Sequence, residues 1–165
     1  MRLPAFMARL WRRPAALPPM APAATQADLV EVFKGGRRLE LKRAGETIRA
    51  YRIALGFAPR GHKEREGDGR TPEGAYAIDG RNPRSAFHLS LRVSYPDAAD
   101  KACAAAAGVP PGGDIFIHGL PNGPRKLFMR HPRRDWTVGC VAVTDAEIRE
   151  IWSLVPTGTR IVIYP

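Results

Sequence analysis

The chain has 165 residues, of which 44% are hydrophobic and 25% charged, enough for one globular domain with a substantial core. It has no run of about 18 apolar residues, so no transmembrane segment is expected, and its two cysteines cannot build a disulfide scaffold. The formal charge of +10 suits an anionic partner or plain solubility, but the basic residues are scattered and no aromatic stripe interleaves them, which argues against nucleic acid.

Residues 1–27 carry Arg2, Arg9, Arg12 and Arg13 without a single acid, then become rich in Ala and Pro. Arg12, Arg13 and Pro14 interrupt the apolar core of about 7 to 15 residues that a secretory signal needs. The segment reads as a disordered leader or an atypical signal, with the domain occupying 28–165. Leu29 to Phe33 and Arg38 to Lys42 flank Lys34-Gly35-Gly36-Arg37 as a hairpin, and Arg43-Ala44-Gly45-Glu46 turns into a strand from Thr47 to Leu55. Residues 56–74 form a polar, glycine-rich loop too long for a simple turn, a length at which loops are often functional.

Phe87, Leu89, Leu91 and Val93 alternate with His88, Ser90, Arg92 and Ser94, which is a strand with one packed face. On the other face, His88 and Ser90 are either solvated, held by local hydrogen bonds, or part of a peptide groove. Residues 97–108 read as a helix behind Pro96 and before Gly108, with Cys103 on its packed side beside Ala99 and Ala106. A second long loop, 119–136, holds Arg125, Lys126, Arg130, Arg133 and Arg134 and is placed to act as a lid. Thr144 and Glu147 make a capping box; Ile148, Ile151, Trp152 and Val155 follow at helical spacing, and Thr159 to Tyr164 is a closing strand.

Chemistry concentrates on His118-Gly119, at the end of the apolar run 114–117, and on Thr137-Val138-Gly139-Cys140, which ends 22 positions after His118. A cysteine attacks as thiolate, so it needs an imidazole that is near in the fold though far in sequence. Two strand ends can bring His118 and Cys140 together. Gly139 leaves the backbone beside the thiol without a Cβ, so an amide N–H and a substrate carbonyl can approach. The competing readings are a buried, inert cysteine, His131 as the base, and Trp136 as core rather than as a wall of the site. Two cysteines and four histidines show no ligand spacing, so no metal and no cofactor is expected.

These residues sit in a longer ordered pattern. Gly67-Asp68-Gly69-Arg70-Thr71-Pro72-Glu73-Gly74-Ala75-Tyr76, Phe87-His88-Leu89-Ser90-Leu91 with Ser94-Tyr95-Pro96, Ile117-His118-Gly119, Asp135-Trp136-Thr137-Val138-Gly139-Cys140-Val141-Ala142-Val143-Thr144 and Val155-Pro156-Thr157-Gly158-Thr159 follow one another. The whole, from about residue 28 to 165, resembles the L,D-transpeptidase catalytic domain (YkuD type), in its YafK-like branch. Val138 stands where the wider family has a second histidine, and Ala142 where an arginine is common. Both departures bear on how a substrate or acceptor is held.

The resemblance implies a mainly β (α+β) fold, a twisted β-sandwich or partly closed barrel of mixed sheets with two short helices. It implies a periplasmic or cell-envelope enzyme acting on peptidoglycan stem peptides through a Cys140 thioester, with an envelope lipoprotein as a further candidate partner. In that reading His118 is the base, the Gly119 carbonyl orients it, and Gly139, Thr137, Trp136 and Arg70 serve substrate binding or the oxyanion. Attack on the thioester by an amine makes a transpeptidase; attack by water makes a hydrolase, a carboxypeptidase or an amidase releasing peptide or lipoprotein. A non-catalytic wall-binding module has no use for an intact His118 and Cys140.

Overall fold

The computed structural model describes residues 15–165. Strands β1 (Leu29–Phe33), β2 (Arg38–Arg43) and β3 (Glu46–Arg52) form the expected meander. Alternation buries Val30 and Val32 of β1 and Leu39 and Leu41 of β2, so one face of the meander packs inward. The 12-residue β4 (Gly74–Ser85) pairs with β8 (Arg160–Tyr164) at its start and with β5 (His88–Val93) further on. Short β6 (Phe116–His118) and β7 (Val141–Ala142) complete a mixed sheet in the order β3-β2-β1-β8-β4-β5-β6-β7. The β1–β8 and β6–β7 pairs are parallel.

The mainly β fold with two helices is as expected, and the sheet is curled without being a closed barrel. Its two ends touch beyond the last paired residue of β3: Ala54 and Ala142 exchange N–H···O bonds of 3.0 and 2.9 Å. A single bridge of this kind holds the ends without a continuous ladder.

Helix α2 (Asp145–Leu154) starts at the expected box, with Thr144 Oγ1 accepting from Glu147 N–H and the Glu147 carboxylate accepting from Thr144 N–H. Its Ile148, Ile151, Trp152 and Leu154 are buried against β5 and β6. At its far end Arg81 donates to the Trp152 and Val155 carbonyls, both at 2.7 Å, and lies 4.0 Å over the Trp152 ring. Helix α1 (Ala98–Ala106) is capped by Asp97. The packing expected of α1 is corrected: only Ala104 is buried, and Cys103, Ala99 and Ala106 are exposed, because so short an alanine helix lies on the surface with a single contact row.

Of the leader expected at 1–27, residues 1–14 lie outside the described residues. Residues 15–27 run along the domain, with Ala21 N–H on the Ser153 carbonyl (2.9 Å), Ala27 N–H on the Leu154 carbonyl (2.8 Å), and Ala27 buried.

The loop 56–74 is held by buried ions rather than by regular structure. Lys34 is 2% exposed, and its Nζ donates to the carbonyls of Gly61 (2.7 Å) and Thr71 (2.8 Å) and to the Glu73 carboxylate (2.9 Å). Lys63 donates to Asp68, whose carboxylate also accepts the N–H groups of Glu64, Arg65 and Arg70. These donors hold the Asp68 carboxyl down at about 2 against its burial. The loop then meets the chain near the sheet junction at backbone distance: a Cβ on Gly56 would stand 2.0 Å from the Gly69 carbonyl oxygen and 3.1 Å from Gly139 Cα.

Because both obstacles are backbone, Gly56→Ala should destabilise the domain by more than about 3 kcal/mol. Gly45→Ala, at a positive φ but in open space, should cost about 1 kcal/mol. Urea unfolding of the two variants checks the contrast, and equal losses would mean that loop 56–74 does not press on the junction.

Candidate active site

The parallel pairing of β6 with β7 sets Ile117 beside Val141 and His118 beside Ala142, so Cys140, one residue before β7, arrives next to the end of β6. Both His118 and Cys140 line one cleft of about 260 Å³, with Phe87, Pro121, Arg125, Met129, Trp136, Thr137 and Val138. His118 is 3% exposed. Its ring centroid lies 4.4 Å from that of Phe87 and 5.6 Å from that of Trp136.

His118 Nδ1 lies 2.7 Å from the Gly119 carbonyl oxygen. A carbonyl only accepts, so Nδ1 carries the proton and the neutral ring keeps its lone pair on Nε2. Gly119 can turn its carbonyl this way because it has no side chain: a Cβ would fall 2.7 Å from Asp145 Oδ1 and 3.0 Å from the Phe87 carbonyl oxygen. Asp145, the first residue of α2, also accepts Leu120 N–H at 2.9 Å, which anchors the start of the lid.

The Cys140 thiol donates to the Asp114 carbonyl at 3.4 Å. Thr137 ties the turn before Cys140 from within: its hydroxyl donates to the Cys140 carbonyl (2.7 Å) and accepts Gly139 N–H (3.2 Å). Gly139 has φ +144, and a Cβ there would meet the Arg70 carbonyl oxygen at 2.8 Å. Burial pushes His118 down to about 4 and Cys140 up to about 11, so imidazole and thiol are both neutral in the resting site. The arrangement can therefore move a proton between two neutral partners, provided that a reacting carbonyl takes up the charge.

The expected residues do not all converge. His118, Cys140, Thr137 and Trp136 meet at the cleft, Gly119 contributes its carbonyl to His118, and Gly139 packs on the Arg70 carbonyl outside the cleft lining. The side chain of Arg70 instead lines a separate cavity with Lys34, Arg37 and Glu73, donating to the His62 carbonyl and pairing with Glu64. His131 accepts from the Trp136 indole at 3.4 Å and is not part of the cleft lining. Ser90 is buried directly opposite His118, whereas His88 lines another cavity, so the two do not form one groove. Phe87 was expected only on the packed face of a strand, not against His118, and Asp114 and Asp145 were not expected at the site, since they act through a main-chain carbonyl and through contacts behind the cleft.

The sequence matches the YkuD family, the L,D-transpeptidase catalytic domain, over residues 27–163. The chain belongs to this family. It is 30% identical over 139 residues to the protein named "Putative L,D-transpeptidase YafK" of Escherichia coli (strain K12), covering 80% of this chain and 48% of that protein. It thus spans about half the length of the curated relatives it matches. Among solved structures, the helical cell shape determining protein Pgp2 of Campylobacter jejuni superposes with a TM-score of 0.63 at 24% identity, over 82% of this chain and 46% of that one. Bd1075 of Bdellovibrio bacteriovorus gives 0.59 at 23%, over 92% and 52%. At these identities the two structures show a shared fold.

A histidine held neutral supports the fold fully above about pH 6.5; as pH falls toward about 4 the unfolded chain takes up a proton that the fold refuses, and stability is lost. Cys140 acts in the opposite direction, its contribution being complete below about pH 9 and lost as pH rises toward about 11. His118→Gln should flatten the acid limb by up to about 1.4 kcal/mol per pH unit. Urea unfolding between about pH 4 and 6.5 measures it, and an unchanged limb would place the imidazole in water.

Proposed function

We propose that the chain is a cysteine acyltransferase of the cell envelope that acts on peptidoglycan stem peptides. The observation that supports this most is a single cleft containing a thiol and an imidazole whose tautomer is set by the Gly119 carbonyl, in a member of this family. The thiol leaves the Asp114 carbonyl and passes its proton to His118 Nε2 as Sγ bonds to the scissile carbonyl carbon. The oxyanion falls to the N–H of Cys140, because the N–H of Gly139 is already held by Thr137. The C–N bond then breaks, the imidazolium returns its proton to the leaving amine, and a thioester remains on Cys140.

Ala142 is fully buried in the closing bridge and, as an alanine, offers a substrate carboxylate no cation. Arg125 is the cation that lines the cleft, and from the lid it holds the carboxylate of the stem peptide. Transfer to an amine on a second stem peptide, or on an envelope lipoprotein, completes a transpeptidase cycle. Hydrolysis is the second reading. On the acceptor side stand exposed, apolar Val138 and buried Ala142, which offer a second peptide no charged hold, whereas water needs none.

Incubation of the protein with purified sacculi, followed by mass analysis of muropeptides, separates the two: new cross-links mark transfer, and shortened or released peptides without cross-links mark hydrolysis. Cys140→Ala should lower either activity by about a hundredfold or more, and residual turnover above that level would exclude covalent catalysis by this thiol. Cys103→Ala should be silent. Arg125→Gln should raise KM and weaken the salt dependence of substrate binding while kcat changes little; a fall in kcat alone would assign Arg125 to the reacting centre.

A further inference from the structure

The lid has a second face that the cleft leaves unused. In the 3-10 turn Pro124–Phe128, Arg125 lines the cleft and Lys126 pairs with Asp145 at 3.2 Å. Leu127 and Phe128 point elsewhere. They are 77% and 85% exposed, the two most exposed large hydrophobic side chains among the described residues. Arg130, Arg133 and Arg134 follow, all exposed and without a carboxylate partner among the described residues. No acid occurs from Ile115 through Arg134.

An adjacent Leu-Phe pair on a protruding turn needs an apolar phase, and three free guanidinium groups beside it need anions at the border of that phase. A glycan or a peptide chain supplies the anions without the apolar phase. A second copy of this chain is disfavoured by charge, because both copies carry a formal net charge of +10 and present the same cationic turn. The border of a bilayer with anionic headgroups meets both needs at once. We propose that the outer face of the lid, Leu127 and Phe128 with Arg130, Arg133 and Arg134, docks on an anionic lipid surface. Docking there holds the mouth of the cleft against the membrane, so that acyl groups close to the membrane are the ones presented to it. This surface is independent of the chemistry assigned to Cys140, and its test reads no turnover.

The test is co-sedimentation of the full chain with phosphatidylcholine vesicles, with and without phosphatidylglycerol. Binding should require phosphatidylglycerol and fall with added salt. The Leu127→Ser, Phe128→Ser double variant should bind about tenfold more weakly or worse with unchanged thermal unfolding, since both side chains are in solvent. Arg130→Gln, Arg133→Gln and Arg134→Gln together should remove most of the salt dependence. Three results overturn the proposal: wild-type binding by the Leu127/Phe128 variant, binding that is lost only on replacing Arg2, Arg9, Arg12 and Arg13, or a loss confined to sacculi with vesicle binding intact.

Discussion

Two hydrogen bonds between Ala54 and Ala142 hold the sheet in its curled form, and the cleft depends on them. They tie the chain leaving β3 to β7, the strand that carries Cys140 at its threshold. Neighbouring contacts reinforce the junction: Leu55 N–H donates to Asp135 at 3.0 Å, Phe57 N–H to the Thr137 carbonyl at 2.9 Å, and Arg37 grips both oxygens of Asp135. Asp135 thereby fixes the end of the lid to the opposite edge of the sheet. Close backbone approach at Gly56, Gly69 and Gly139 is the geometric condition for this closure.

The same junction explains the electrostatics of the site. Phe87 and Trp136 pack on the imidazole, and the sheet buries it from behind, so water cannot solvate a charged His118. A neutral pair is a stable resting state and protects the thiol from becoming a free thiolate. The Gly119 carbonyl orients the ring at no cost in buried charge, where a carboxylate in the same place would have to be desolvated.

The lid is tied to the same frame. Its first residues hang from Asp145 at the start of α2 and its last from Asp135, so both ends are anchored by carboxylates while the middle projects. Basic residues in it divide by position: Arg125 lines the cleft, Lys126 braces the lid on Asp145, and the remainder face solvent.

Local chemistry was legible wherever a residue acts on its own neighbours. The meander, the box of Thr144 and Glu147, and the alternation through Leu89 and Leu91 are short-range patterns that the chain carries whatever surrounds it. His118 and Cys140 were legible too, because ordered family motifs flank them. What tertiary structure alone decided is which groups meet. Phe87 reaches His118 only once β5 and β6 pair, and the Arg70 side chain leaves the cleft because Asp68 holds the Arg70 backbone while His62 and Glu64 draw its guanidinium aside. Cys103 carries a helical signature consistent with burial, yet it faces solvent, since periodicity says which residues share a face and not whether anything covers that face. The pairing of Ala54 with Ala142 was unreadable for the same reason: closure between residues 88 positions apart is set by the summed curl of eight strands, a property no local stretch of sequence contains.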